Sequence, residues 1–230
     1  MRPFNLTSSL SKVLGFQAIV KSAFNPSYRA MSIVSTPRPE IDRVIKYWFE
    51  GDDVPQKWFR GGPKVDSEIK DHFSALVSQA RAAELTPWTA APKGTLALII
   101  LLDQFSRNIF RGSPESYSKD RLGLGIAAEA IAKRFDRQVP VMQQVFFYLT
   151  LMHDENLVSQ IAGMALCEGL VERCVGEEMM KDFAVNSIKS AQSHMDCIRR
   201  FGRFPSRNEV LGRKSTAEEI EYLEKEHSGW

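Results

Sequence analysis

Three short segments hold the side chains whose types and spacing could do chemistry. The first runs from Gly94 to Gly112, where Leu96 to Leu102 is apolar all round and Asp103, Gln104, Arg107 and Asn108 follow at once. An all-apolar helical stretch must be buried on most sides. Asp103 and Arg107 are spaced i,i+4, as are Gln104 and Asn108, so each pair can meet on one surface. A charged pair beside so much leucine and isoleucine is partly desolvated and costly unless fully paired. It serves either as an ion pair closing the helix end, or as part of a cleft in which Arg107 and Asn108 offer donors to an anion or carbonyl.

The second segment, Phe146 to Asn156, is an aromatic and aliphatic helix ending in a polar cluster with His153 and Glu155. A histidine moves protons near neutral pH, and a nearby carboxylate can orient it. The spacing is not that of a zinc-binding HExxH pair. The third, His194 to Asn208, places Arg203 between Phe201-Gly202 and Phe204-Pro205, with Arg207 and Asn208 close behind. Arg203, Arg207 and Asn208 could hold a carboxylate or phosphate, or equally bind helix-end carbonyls. His194 is a second proton-transfer candidate. No P-loop, nucleophile elbow or CxxC is present, and Gly123-Leu124-Gly125 lacks the third glycine of a dinucleotide fingerprint. Those glycines read as sites of close helix packing.

The elements that must position these groups are helical. Val44, Ile45, Trp48 and Phe49 form one face, and Val65, Ile69, Phe73, Leu76, Val77 and Ala80 form another. Further helices are expected over 93–110, 119–135, 141–152, 156–175 and 178–201. A short last helix should begin at a Ser215-x-x-Glu218 capping box. Trp58 should wedge into the core. No alternating strand pattern with hairpin turns occurs, so the class is all-α. Short connectors such as 111–114 and 137–140 favour antiparallel neighbours.

Composition bounds the partners. With 230 residues, the chain suits one domain of residues 40–230 behind a leader of 1–39. Lys+Arg 30 against Asp+Glu 28 provides no basic field for nucleic acid, and no apolar run is long enough to span a membrane. Cys167, Cys174 and Cys197 form no disulfide framework and read as buried thiols. Residues 1–39 have no Asp or Glu but carry Arg2, Lys12, Lys21, Arg29 and Arg38 among serines and aliphatics. This is the composition of a mitochondrial transit peptide; translation starting at Met31 would instead leave a cytoplasmic protein.

Taken together, Leu102-Asp103-Gln104-Phe105-Ser106-Arg107-Asn108, His153-Asp154-Glu155, His194 and Phe201-Gly202-Arg203-Phe204-Pro205-Ser206-Arg207-Asn208 resemble the domain of unknown function 924 family. The resemblance covers about 41–223. It implies a tetratricopeptide-like, right-handed superhelical arrangement of antiparallel helix pairs. Ser106 stands where the family pattern has proline, Asp154 where it often has serine, and Ser206 where it has histidine.

Two functions compete. In one, His153, Glu155 and His194 do acid–base chemistry on a small polar or anionic molecule, with Asp103, Gln104, Arg107, Asn108, Arg203, Arg207 and Asn208 binding it and no cofactor. Metal binding by His153, Glu155, His194 and Asp103 is a lesser variant, and no metal is expected. In the other, the polar motifs are internal ties of a scaffold for a peptide or protein partner. Convergence of Arg107, His153 and Arg203 on one open pocket would favour the first.

Overall fold

The computed structural model describes residues 38–51, 54, 57, 58, 61–174 and 178–226. The leader's residues 1–37, and with them the targeting reading, lie outside the described residues. Proline opens each of the first three helices, where its missing N–H and fixed φ are harmless: α1 (Pro39–Phe49), α2 (Pro63–Arg81) and α3 (Pro92–Ile100). The faces expected from spacing are the buried ones, Val44, Ile45 and Trp48 on α1 and Val65 to Ala80 on α2. From Pro39 onward the described residues fall in one compact unit, and none of them forms a strand.

Helix α3 is the buried rod its composition requires, with every residue from Gly94 to Ile100 inside. It packs against α1, the turn at Thr86–Ala90, α5 (Asp120–Ala132) and α6 (Val141–Met152). Such a crossing leaves no room for side chains at its start. A Cβ on Gly94 would lie 2.4 Å from the Trp88 carbonyl oxygen. Gly123 and Gly125, by contrast, are not close-packing sites: a Cβ at Gly123 would make ordinary contact with Leu102, and one at Gly125 would meet nothing.

The helix expected over 93–110 is interrupted. A π-helical turn, Leu101–Phe105, joins α3 to the short α4 (Ser106–Ile109). Ser106 Oγ donates to the Leu101 carbonyl five residues back, at 3.1 Å. One wider turn rotates everything beyond it relative to an ideal 3.6-residue helix, and Asp103 and Gln104 sit on that turn.

Helix α7 (Leu157–Arg173) runs back along α6. Gln160 Nε2 at its start donates to the Leu151 and Met152 carbonyls, while Arg173 at its end donates to Gln144 and Tyr148. Asn156 caps it by accepting from Val158 N–H. Helix α8 (Glu178–Phe201) packs on both α7 and α6. The last helix, α9 (Ala217–Glu226), does have a capping box, but one residue later than expected. Thr216 Oγ1 accepts from Glu219 N–H, and Glu219 Oε2 accepts from Thr216 N–H. Ser215 is instead occupied by the Asn208 amide. All three cysteines are free and buried.

Candidate functional site

The π turn, the C-terminus of α6, and the turn after α8 (Pro205–Arg207) meet around Asp103. This carboxylate is 3% exposed. His153 Nδ1 lies 2.8 Å and 3.0 Å from its two oxygens, Arg107 Nη1 lies 2.7 Å away, and Gln104 Nε2 donates at 2.5 Å. Because an ionised carboxylate only accepts, His153 Nδ1 must carry the proton there. The neutral ring then presents its lone pair at Nε2, which has no hydrogen-bond partner among the described residues.

The network extends outward from Arg107. Its fork donates to Asp120 at 3.2 and 3.0 Å, and Arg207 stands 3.5 Å from the same carboxylate. Arg207 Nη2 donates to the His153 carbonyl at 2.9 Å, fixing the turn that holds the imidazole. Tyr117 lies beneath both guanidinium groups, 5.6 Å from that of Arg107 and 4.7 Å from that of Arg207. Beside them, Asp66 accepts from Asn108 and from the Arg111 fork. Asp66, Arg111, Tyr117 and Asp120 are members that sequence reasoning missed. Asp66 and Asp120 lie in the first turns of helices, where an acid needs no further explanation. The one available signal was the excess of arginines over nearby acids in the 94–112 segment.

Electrostatics follow from the crowding. Burial pushes the Asp103 carboxyl up, but Arg107 and His153 outweigh it and hold it well below the usual carboxylate range. Burial raises Asp120, against the attraction of Arg107 and with repulsion from Asp103. Burial also lowers His153, helped by Arg107 and opposed by Asp103, so the ring is a neutral base at pH 7. His194, with its ring 6.0 Å behind that of His153, is pushed down to about 3 by burial and by His153.

The network opens on a cleft of about 780 Å³, a volume typical of small-molecule sites. Gln104, Arg107, Asn108, His153 and Arg207 line it; Asp103 and His194 stand behind the lining. The opposite wall is apolar and aromatic, with Trp48, Trp58, Phe146 and Phe183, none of which was expected to face a site. Trp58 is half-buried against Phe146 and donates its indole N–H to the Trp48 carbonyl.

The remaining expected residues lie elsewhere. Glu155 does not orient His153; Asp103 does. Three positions beyond the end of α6, Glu155 turns to the 204–213 loop, where the Phe204 N–H and the Arg213 fork need an acceptor. Arg203 is paired with Glu219 and the Lys214 carbonyl, and Asn208 with Ser215 and Glu219. Of the three residues whose convergence would favour an enzyme, Arg107 and His153 meet in the cleft, and Arg207 rather than Arg203 joins them. The Gln104–Asn108 pairing does not form, because Gln104 turns to Asp103 and Asn108 to Asp66. Among the described residues, no group of three or more His, Cys, Asp or Glu could hold a metal ion, and no helix is long and apolar enough to cross a membrane.

The family model for "Bacterial protein of unknown function (DUF924)" matches residues 44–227, taking in every element of this site. The chain belongs to the DUF924 family. A solved structure, that of the protein of unknown function ATU0120 from Agrobacterium tumefaciens, superposes with a TM-score of 0.71 at 34% identity. The match covers 80% of this chain and 97% of that one. No curated protein matches. In this DUF924 member the Ser106 hydroxyl bonds across the π turn.

Proposed function

We propose that the cleft is an active site for proton transfer on a small anionic molecule. His153 is the general base, Asp103 holds its tautomer and stabilises the imidazolium that forms, and Arg107 and Arg207 hold the anion and meet developing negative charge. The observation that carries this reading is the 2.8 Å bond from His153 Nδ1 to a buried carboxylate, with Nε2 facing a cleft where, among the described residues, it has no partner and no carboxylate forms the lining. The reaction class is hydrolysis, elimination or isomerisation. His194 is assigned a packing role behind His153, held neutral by its burial.

The test is a turnover screen over small carboxylates and phosphates with His153→Gln as control. The substitution is expected to cost about 10²–10⁴ in rate. A base must be neutral, and burial keeps the His153 pKa below its ordinary 6.5. Activity should therefore be on its plateau at pH 7 and fall only as pH drops below 6.5. Full activity in His153→Gln would overturn the assignment.

The antiparallel course of α6 and α7 supports a tetratricopeptide-like arrangement of the helices, which we propose for the fold as a whole. One observation favours a second reading, a protein-binding scaffold. Val158 and Ile161, 74% and 54% exposed, form an apolar surface at the start of α7. Serine at both positions would abolish capture of such a partner and leave the cleft's ligand affinity unchanged.

A further inference from the structure

The cleft changes character along its length, and two helices change together. On α6, Val145, Phe146 and Leu149 precede His153; on α8, Phe183 precedes Asn186, Ser187 and Ser190. The register between the helices is fixed at both ends. At one end the Trp58 ring lies 5.1 Å from Phe146 and 5.9 Å from Phe183. At the other, the His153 ring lies tilted 6.0 Å from that of His194, whose Nδ1 donates to the Ser190 carbonyl at 2.8 Å. The helices therefore run the same way, each from an apolar beginning to a polar end. From Val145 to His153 is eight residues, or about 12 Å of helix.

The polar end is suited to an anion. Among the described residues no Asp or Glu lines the cleft; Asp66, Asp103 and Asp120 all stand behind their arginines. Arg207 gives one N–H to the His153 carbonyl and stands 3.5 Å from Asp120, which leaves donors among its five. At the apolar end Phe146 is buried, Phe183 is half-buried, and their neighbour Trp58 is itself aromatic. A small hydrophilic anion would leave that end unused.

We propose that the cleft takes elongated amphipathic anions. A carboxylate or phosphate head lies against Arg107 and Arg207, and a linear hydrocarbon tail of about 12 Å lies along α6 towards Phe146 and Phe183. This rests on the reading of the cleft as a ligand site and specifies what enters it. The tail supplies affinity by leaving water, and the arginines fix which end lies beside His153.

The test is calorimetric titration of the full chain with linear carboxylates from acetate to dodecanoate, all below micellar concentration. Alkyl phosphates and primary amides of matched length form the other arms. Affinity is expected to rise about two- to fourfold per added methylene until the tail fills the cleft, and then to level off. The amides should bind at least about tenfold more weakly, as loss of a charge-assisted bond requires. Ser187→Phe, which fills the middle of the cleft, should move the levelling point to shorter chains. Leu149→Phe probes the same depth from α6, should Ser187→Phe fail to fold by circular dichroism. Tighter binding of one head type identifies the source of the anion, and either head supports the proposal. Affinity independent of length, rising without a break, or equal for the amides would overturn it. His153→Gln should keep the length dependence. That dependence, with no turnover in the separate screen of small carboxylates and phosphates, supports the ligand class and counts against catalysis; turnover of a short reactive anion in that screen, with binding independent of chain length, does the reverse.

Discussion

Replacing Arg107 with methionine keeps an unbranched stem as far as the Nε position and removes the charged guanidinium that answers two carboxylates, Asp103 at 2.7 Å and Asp120 at 3.0 Å. Breaking a buried ion pair by removing one partner costs about 3–5 kcal/mol, because the other charge is left buried. Here 20% of the Arg107 side chain is open, and His153 and Gln104 still reach Asp103. The expected loss therefore lies at the lower end, about 3 kcal/mol. For a chain of this size each kcal/mol moves the thermal midpoint about 2–4 °C, so the variant should melt about 6–12 °C lower at pH 7.

The pH dependence discriminates further. In the parent protein the folded Asp103 pKa is depressed, so its stabilising contribution is complete above the unfolded value near 3.9. It is lost only as pH falls through the lower folded value, so it is constant between pH 7 and pH 5. In Arg107→Met the chief counterweight to burial is gone, and Asp103 rises while Asp120, already raised, rises further. Groups that bind protons more readily folded than unfolded stabilise the fold as pH falls. The deficit should be smaller at pH 5 than at pH 7 by differential scanning calorimetry. A deficit under about 1 kcal/mol, or one equal at both pH values, would refute a buried network and leave an ordinary surface pair.

Glu155→Ala should lower stability by about 1–3 kcal/mol, since it leaves the Phe204 N–H and Arg213 without their acceptor, while ligand affinity in the cleft stays within about twofold. Gly94→Ala should cost about 1–3 kcal/mol in a denaturant titration, because its Cβ would collide with backbone and something must shift. Residues 1–31 fused to a fluorescent reporter should direct it to mitochondria; a wholly cytosolic reporter would favour the Met31 start.

What the sequence made legible was set by periodicity and by the cost of burial. The helix faces of α1 and α2 follow from spacing alone, and an all-apolar α3 had to be central. The same cost said that Asp103 and Arg107 required partners, and the Asp103–Arg107 pair itself is present. It could not say which partners. A carboxylate's demand for donors is met equally by His153, Gln104 or another arginine, and only the tertiary crossing of α6 over the π turn selects among them. The π turn itself left no mark in the spacing, because one wider turn in a wholly buried segment shifts no hydrophobic residue to water. Its effect falls on the polar residues beyond it, and there the expectation of a Gln104–Asn108 pair failed. Glu155 and Arg203 lie outside the cleft lining for a related reason. Nearness in sequence to His153 or to Phe204 is not nearness to the cleft, because each lies where the chain turns away from it. Arg207 lies beyond the same turn and returns, because Pro205–Arg207 forms one short helical turn that swings its side chain back over Asp120 and the His153 carbonyl. The geometry of that turn, rather than the identity of the arginine, decides which of the two cations can touch a ligand.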